Sequence, residues 1–112
     1  IPEYLCGFTE LGSLFLDSND LTGEIPSCLG NLQKLRQLYL FQNQLSGEIP
    51  DTLGSLSLLS GFGIERNLLV GQVPQGMCTI RQLRDMWSDC GGPSPEIRCP
   101  CCSICCPSSR CV

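Results

Sequence analysis

Ten cysteines and no histidine set the terms for any chemistry this chain could perform. The missing histidine removes the commonest general base and metal ligand, together with every Ser-His or Cys-His nucleophile pair. Eight of the cysteines crowd the end of the chain: Cys78, Cys90, Cys99, Cys101, Cys102, Cys105, Cys106 and Cys111. At that density a disulfide framework made in an oxidising compartment is the expected use. About a hundred pairings of eight cysteines are possible, and spacing alone chooses none of them. The run Cys99-x-Cys101-Cys102-x-x-Cys105-Cys106 also offers thiolates at short spacing, and an all-cysteine zinc site needs no histidine. The reading taken is a disulfide cap that seals the last coil, with no metal and no cofactor. A carboxylate pair is the other candidate. Glu65 and Asp89 are expected on adjacent strands about 5 Å apart, a separation seen between the acids of retaining glycosidases. On a sheet face open to water no pocket would raise one of these carboxyls, so no enzyme is expected.

What must position these residues is a repeat. Asn19, Asn43 and Asn67 are 24 residues apart, as are Gly23, Gly47 and Gly71, and Pro26, Pro50 and Pro74. Leu11, Leu35, Leu59 and Leu83 continue the step, followed by Leu14, Leu38, Phe62 and Met86, then by Leu16, Leu40 and Ile64, which fail at Ser88. The unit reads L-x-x-L-x-L-x-x-N-x-L-x-G-x-I-P-x-x-L-G-x-L-x-x. Its L-x-L stretch alternates with period two and predicts a short strand with the leucines inward. The asparagine suits the turn after the strand, where its amide can bond unpaired backbone groups; stacked, Asn19, Asn43 and Asn67 would form a structural ladder. Glycine turns the chain without a Cβ penalty, and Ile-Pro fixes an extended segment beyond it. One such coil cannot bury its apolar stripe alone, so the coils must stack.

Composition agrees. At 112 residues there is room for one domain, and 18 leucines with no alanine argue against a helical bundle. A net charge of -4 provides no basic face for nucleic acid, and no apolar run approaches the roughly 20 residues of a membrane span.

The segments Leu21-Thr22-Gly23-Glu24-Ile25-Pro26, Leu45-Ser46-Gly47-Glu48-Ile49-Pro50 and Leu69-Val70-Gly71-Gln72-Val73-Pro74 resemble the plant-type leucine-rich repeat. The resemblance covers about residues 1 to 90. It implies an α/β-type solenoid with a right-handed coil: short parallel strands on the concave face, an irregular or 3-10 convex side, and a second short strand carrying L-x-G-x-I-P. Members of that family are mostly receptor-like ectodomains and secreted recognition or inhibitor proteins. From Leu83 to Cys106 the chain resembles the cysteine-rich terminal cap of short leucine-rich repeat proteins of diatoms. The expected division is therefore repeats over 1–90, about three and a half coils, and a disulfide-rich C-terminal cap over 91–112.

Ile1-Pro2-Glu3-Tyr4-Leu5-Cys6 aligns with Ile25-Pro26-Ser27-Cys28-Leu29-Gly30, so the chain starts halfway through a repeat and reads as the C-terminal part of a longer array. Cys6 and Cys78 occupy one column three coils apart, about 14 Å, too far to pair. Cys28 stands one coil from Cys6 at a variable position, and both are expected as free thiols.

The outward positions of the strands place Phe15, Tyr39, Gly63 and Trp87 in one column. Asp17, Phe41, Glu65 and Asp89 form a second, and Ser13, Gln37, Gly61 and Asp85 a third. The ligand-binding residues expected on the concave face are Phe15, Asp17, Gln37, Tyr39, Phe41, Glu65, Asp85 and Trp87. Exposed aromatics with a polar rim suit a protein or peptide contact. The chain is thus expected to be an extracellular or cell-surface recognition module. A cysteine-rich metal-binding or structural wall protein is the alternative, and the family resemblance adds inhibition of a secreted hydrolase.

Overall fold

The computed structural model describes residues 1–89 and 97–105. The strands in chain order are β1 (Ser13–Phe15), β2 (Thr22–Glu24), β3 (Gln37–Tyr39), β4 (Gln44–Gly47), β5 (Gly61–Gly63), β6 (Leu68–Leu69), β7 (Gly71–Gln72), β8 (Asp85–Ser88), β9 (Ile97–Arg98) and β10 (Ile104–Cys105). The chain is a leucine-rich repeat solenoid whose parallel concave sheet has the order β1-β3-β5-β8-β10. Its register sets Leu14, Leu38, Phe62 and Met86 side by side, all buried. The alternation of the L-x-L stretch produces this: one set of side chains enters the core and the other stands on the concave face.

The convex side is built by short turns. Pro2, Pro26 and Pro50 each precede a 3-10 turn, at Glu3–Gly7, Ser27–Asn31 and Asp51–Ser55, and Pro74 precedes a single α-helical turn at Gln75–Cys78. Proline costs nothing where a helical turn leaves its first N–H unpaired. Leu29, Leu53 and Met77 drop from these turns into the core beside Leu32, Leu56 and Ile80. A second parallel sheet, β2-β4-β6, runs along the flank. The glycine column has φ of +82° at Gly23, +79° at Gly47 and +93° at Gly71, a conformation that a side chain would strain.

The asparagine column stitches the coils. Asn43 Oδ1 accepts from Leu21 N at 3.0 Å, while its Nδ2 donates to Leu16 O at 2.9 Å and Leu40 O at 3.0 Å. Asn67 repeats the arrangement with Leu45 N, Leu40 O and Ile64 O. Asn19 is exposed and reaches only Leu16 O and Asp17 O. Each of these asparagines follows a left-handed residue that is not glycine: Ser18 (φ +59°), Gln42 (+56°) or Arg66 (+59°).

Beyond Ser88 the sheets continue. β10 pairs with β8, setting Ile104 against Trp87, and β9 pairs with β7. Ser103 Oγ donates to Met86 O and accepts from Met86 N, which fastens this segment to the last regular strand. Ile97 is fully buried and extends the column of Ile25, Ile49 and Val73 at the same 24-residue step. Ser88, which stands where the leucine column fails, is buried with its Oγ 3.5 Å from Cys102 Sγ.

The cysteines correct one expectation. Cys6 and Cys28 are not free thiols: they form a disulfide with Cα atoms 5.8 Å apart. The alignment by 24 residues compared Cys6 with Gly30. Neighbouring convex turns instead meet at an offset of 22, as the close approaches of Gly30 to Thr52 and of Gly54 to Gly76 also show. Cys78 pairs with Cys101 and Cys99 with Cys102. Cys90, Cys106 and Cys111 lie outside the described residues, and Cys105 is described only through the backbone pairing of β10.

Candidate functional site

Strand β5 reads Gly61-Phe62-Gly63, so it sends Phe62 into the core and nothing onto the concave face. Its neighbours fill the gap from one side. Tyr39 on β3 leans across β5 until its hydroxyl occupies the place where a Gly61 side chain would begin. At Gly63 a side chain would meet Tyr39 Cδ1 at 3.1 Å, Phe41 Cδ1 at 3.2 Å and Glu65 Oε1 at 3.1 Å. Tyr39 is held in this tilt by two rings. It stacks on Phe15 with centroids 5.3 Å apart and planes at 13°, and it meets Phe41 edge-on at 6.1 Å and 64°. Such pairs contribute about 0.5–1.5 kcal/mol beyond the area they bury.

The result is a pocket of about 410 Å³ in the concave face, lined by Tyr39, Phe41, Gln42, Gly63, Glu65, Arg66, Asp85 and Trp87. Five of the residues expected at a binding face thus surround one cavity: Tyr39, Phe41, Glu65, Asp85 and Trp87. Phe15 contributes through its stack on Tyr39. Gln37 accepts a hydrogen bond from Ser13 Oγ at 3.1 Å, and neither Gln37 nor Asp17 lines the cavity. Gln42, Gly63 and Arg66 are lining residues that the strand alternation did not point to as binding residues. The paired glycines on β5 were the available signal, because they leave the sheet one strand wide without side chains.

This pocket corrects a second expectation, that the concave face could not raise a carboxyl. Glu65 is 5% exposed and its Oε2 has no hydrogen-bond partner. Burial lifts its pKa to about 7. Its own backbone N–H opposes the rise, the Asp89 charge adds to it, Arg66 opposes and Asp17 adds. Burial also raises the Tyr39 phenol, helped by Asp85 and then by Glu65, which places this hydroxyl in the field of both carboxylates. Asp89 is 8% exposed and serves the backbone: its Oδ2 accepts from Arg66 N at 2.8 Å and Asn67 N at 3.5 Å, whereas the equivalent donors one coil earlier, Gln42 N and Asn43 N, bond to the backbone carbonyls of Glu65 and Arg66. Its Oδ1 is unpartnered.

Among the described residues no group of three or more cysteine or acidic side chains is arranged to hold a metal ion. Cys99, Cys101 and Cys102 spend their sulfurs on disulfides. No helix of the described residues is long and apolar enough to cross a membrane.

A family model for the leucine-rich repeat matches residues 10–32 and 34–56. No curated protein matches the sequence. Among solved structures, the PEPR1–AtPEP1 structure aligns with a TM-score of 0.75 and 35% identity over 88% of this chain and 13% of that one. The plant peptide hormone receptor RGFR1 in complex with RGF2 aligns with a TM-score of 0.71 and 38% identity over 74% of this chain and 13% of that one. The BIR3–SERK2 complex from Arabidopsis thaliana gives 0.74 and 35%, covering 79% of this chain and 47% of its counterpart. The chain therefore spans 13% of the length of each of the first two proteins and 47% of the third. The repeat pattern, the parallel concave sheet, the asparagine column and these likenesses converge: the chain belongs to the leucine-rich repeat proteins of the plant type.

Proposed function

We propose that the chain is an extracellular recognition module, part of a receptor-like or secreted leucine-rich repeat protein, that takes a peptide or protein ligand on its concave sheet. The observation that carries this reading is the aromatic group Phe15, Tyr39 and Phe41, stacked on the open face and bordering a pocket that Trp87 closes from the other side. Tyrosine and tryptophan supply large, stiff contact area at small entropic cost, which is why they dominate binding energies. The likeness to a plant peptide hormone receptor in complex with its peptide supports a ligand of this class. Disulfides at both ends of the described solenoid suit an oxidising compartment. Catalysis by Glu65 with Asp89 is the weaker reading, because two backbone N–H groups already hold the Asp89 carboxylate.

The test is a screen of short synthetic peptides against the immobilised chain, followed by titration of each hit. Tyr39→Ala with Phe41→Ala should weaken a saturable one-to-one hit at least about tenfold, a loss of about 1.4 kcal/mol, measured at a temperature where the variant, which loses the two ring contacts, is still folded. Unchanged affinity in that folded double variant removes the concave face from the function.

A further inference from the structure

The pocket beside Tyr39 carries more than apolar area. Its walls are the rings of Tyr39, Phe41 and Trp87, and its acids are Glu65 and Asp85. Gly63 lies between the rings and adds no side chain of its own there. Glu65 is the informative member. A carboxylate so deeply buried, with one oxygen lacking any partner, is an unbalanced charge that a protein normally neutralises or pairs. Arg66 also lines the pocket, yet among the described residues the only ion pair is Lys34 with Glu10, so Arg66 offsets the Glu65 charge from a distance and forms no ion pair with Glu65 or Asp85. Aromatic faces around an acid are the surroundings that attract an organic cation, through the ring quadrupoles and the carboxylate together.

We propose that this pocket binds a basic side chain of the ligand, a guanidinium in preference to an ammonium, with Glu65 and Asp85 as its acceptors and Tyr39, Phe41 and Trp87 as its walls. A volume of about 410 Å³ holds an arginine side chain. The planar guanidinium stacks on rings while bonding a carboxylate in its own plane, which a compact, strongly hydrated ammonium does less well. The inference rests on the concave-face reading above and names the ligand chemistry at one point on that face. It also gives Glu65 a reason to sit where burial opposes its charge. The rise of its pKa to about 7, from burial first and from Asp89 and Asp17, against Arg66 and its own backbone N–H, is the cost that an incoming cation would offset.

Trp87 is the sole tryptophan of the chain and lines the pocket, so its fluorescence reports occupancy directly. The experiment titrates the whole chain, disulfides intact, with N-acetyl-arginine amide above pH 7, with the lysine and norleucine amides as comparisons. A saturable change with the arginine amide, weaker with lysine and absent with norleucine, is the expected result. Glu65→Gln should weaken arginine binding about tenfold without lowering Tm, and Arg66→Gln should strengthen it by removing a competing charge. Equal response to norleucine, no saturable response to arginine, or unchanged affinity in Glu65→Gln would each overturn the proposal. Those failures leave peptide capture by Tyr39 and Phe41 standing, whereas loss of the concave-face reading shows only in the peptide titration of the aromatic double variant.

Discussion

Gly54 and Gly76 meet backbone to backbone across neighbouring coils, so that a side chain on Gly54 would begin 3.0 Å from the Gly76 Cα. The same contact recurs along the convex side. Gly30 abuts Thr52, Cys6 is bonded to Cys28, and Cys78 to Cys101, with separations of 22 or 23 residues. Where the solenoid continues in both directions the column is kept narrow by glycine, and at the two ends of the described repeats the same approach is closed covalently.

Adding a methyl group to this column should therefore be costly in order of crowding. Built on Gly30, a Cβ would lie 2.5 Å from Thr52 O, closer than any contact made at Gly54. Gly30→Ala is expected to lose about 1–3 kcal/mol of stability by overpacking, and Gly54→Ala less. Gly12→Ala, with nothing within 4 Å of the new atom, is the control and should be neutral or slightly stabilising. Urea midpoints of the three variants check this, and a Gly30→Ala midpoint equal to that of Gly12→Ala would contradict the stacking account.

Removing the Cys6–Cys28 bond opens a loop of 22 residues. Chain entropy alone sets the loss near 3 kcal/mol for Cys6→Ser with Cys28→Ser. Alkylation of the unreduced protein should label neither cysteine, and a digest should show their two peptides joined. Recovery of Cys6 or Cys28 as an alkylated thiol would refute the pairing.

The asparagines should differ sharply although they share a column. Asn43 and Asn67 are buried, and each satisfies two backbone groups of the neighbouring coil and at least one of its own. Truncating either to alanine leaves those groups unpaired in the core, at about 1–3 kcal/mol per site or more. Asn19 bonds only its own turn in solvent, so Asn19→Ala should cost less than about 0.5 kcal/mol. Thermal melts of the three variants rank them, and equal losses would mean that burial does not set the cost.

Most of the coil was legible because the 24-residue step fixes which side chains share a depth. Leu14, Leu38, Phe62 and Met86 could be assigned to one layer from spacing alone, since a strand alternates and stacked coils repeat. Spacing does not report tilt. The convex turns meet two residues out of phase with the strands, which hid Cys6 from Cys28. Ser88 and the missing asparagine at Gly91 signalled an end to the repeats, while Ile97 kept the step and carried the second sheet onward. The pocket was hidden for a different reason. It arises where Gly61 and Gly63 have no side chains, so a reading that looks for residues able to bind passes over the strand that makes room for them.

Glu65 should make stability fall as pH rises. Its folded pKa of about 7 stands above the ordinary 4.5, so between those values the folded chain retains a proton that the unfolded chain has released. The carboxyl is therefore costless below about 4.5, its penalty grows as pH climbs toward 7, and the full penalty applies above that. Glu65→Gln keeps the shape and removes the charge. The variant should match the parent near pH 4 and exceed it near pH 8, by about 1–3 kcal/mol if an unpaired buried acceptor sets the scale. Asp89, Asp17, Arg66, Asp85 and Tyr39 stay in place in both proteins, so the difference isolates the Glu65 charge together with its coupling to them. Urea unfolding of parent and variant at the two pH values measures it directly. A difference that is the same at both would show that Glu65 titrates as an ordinary surface acid, and the buried charge in the pocket would then have no energetic consequence.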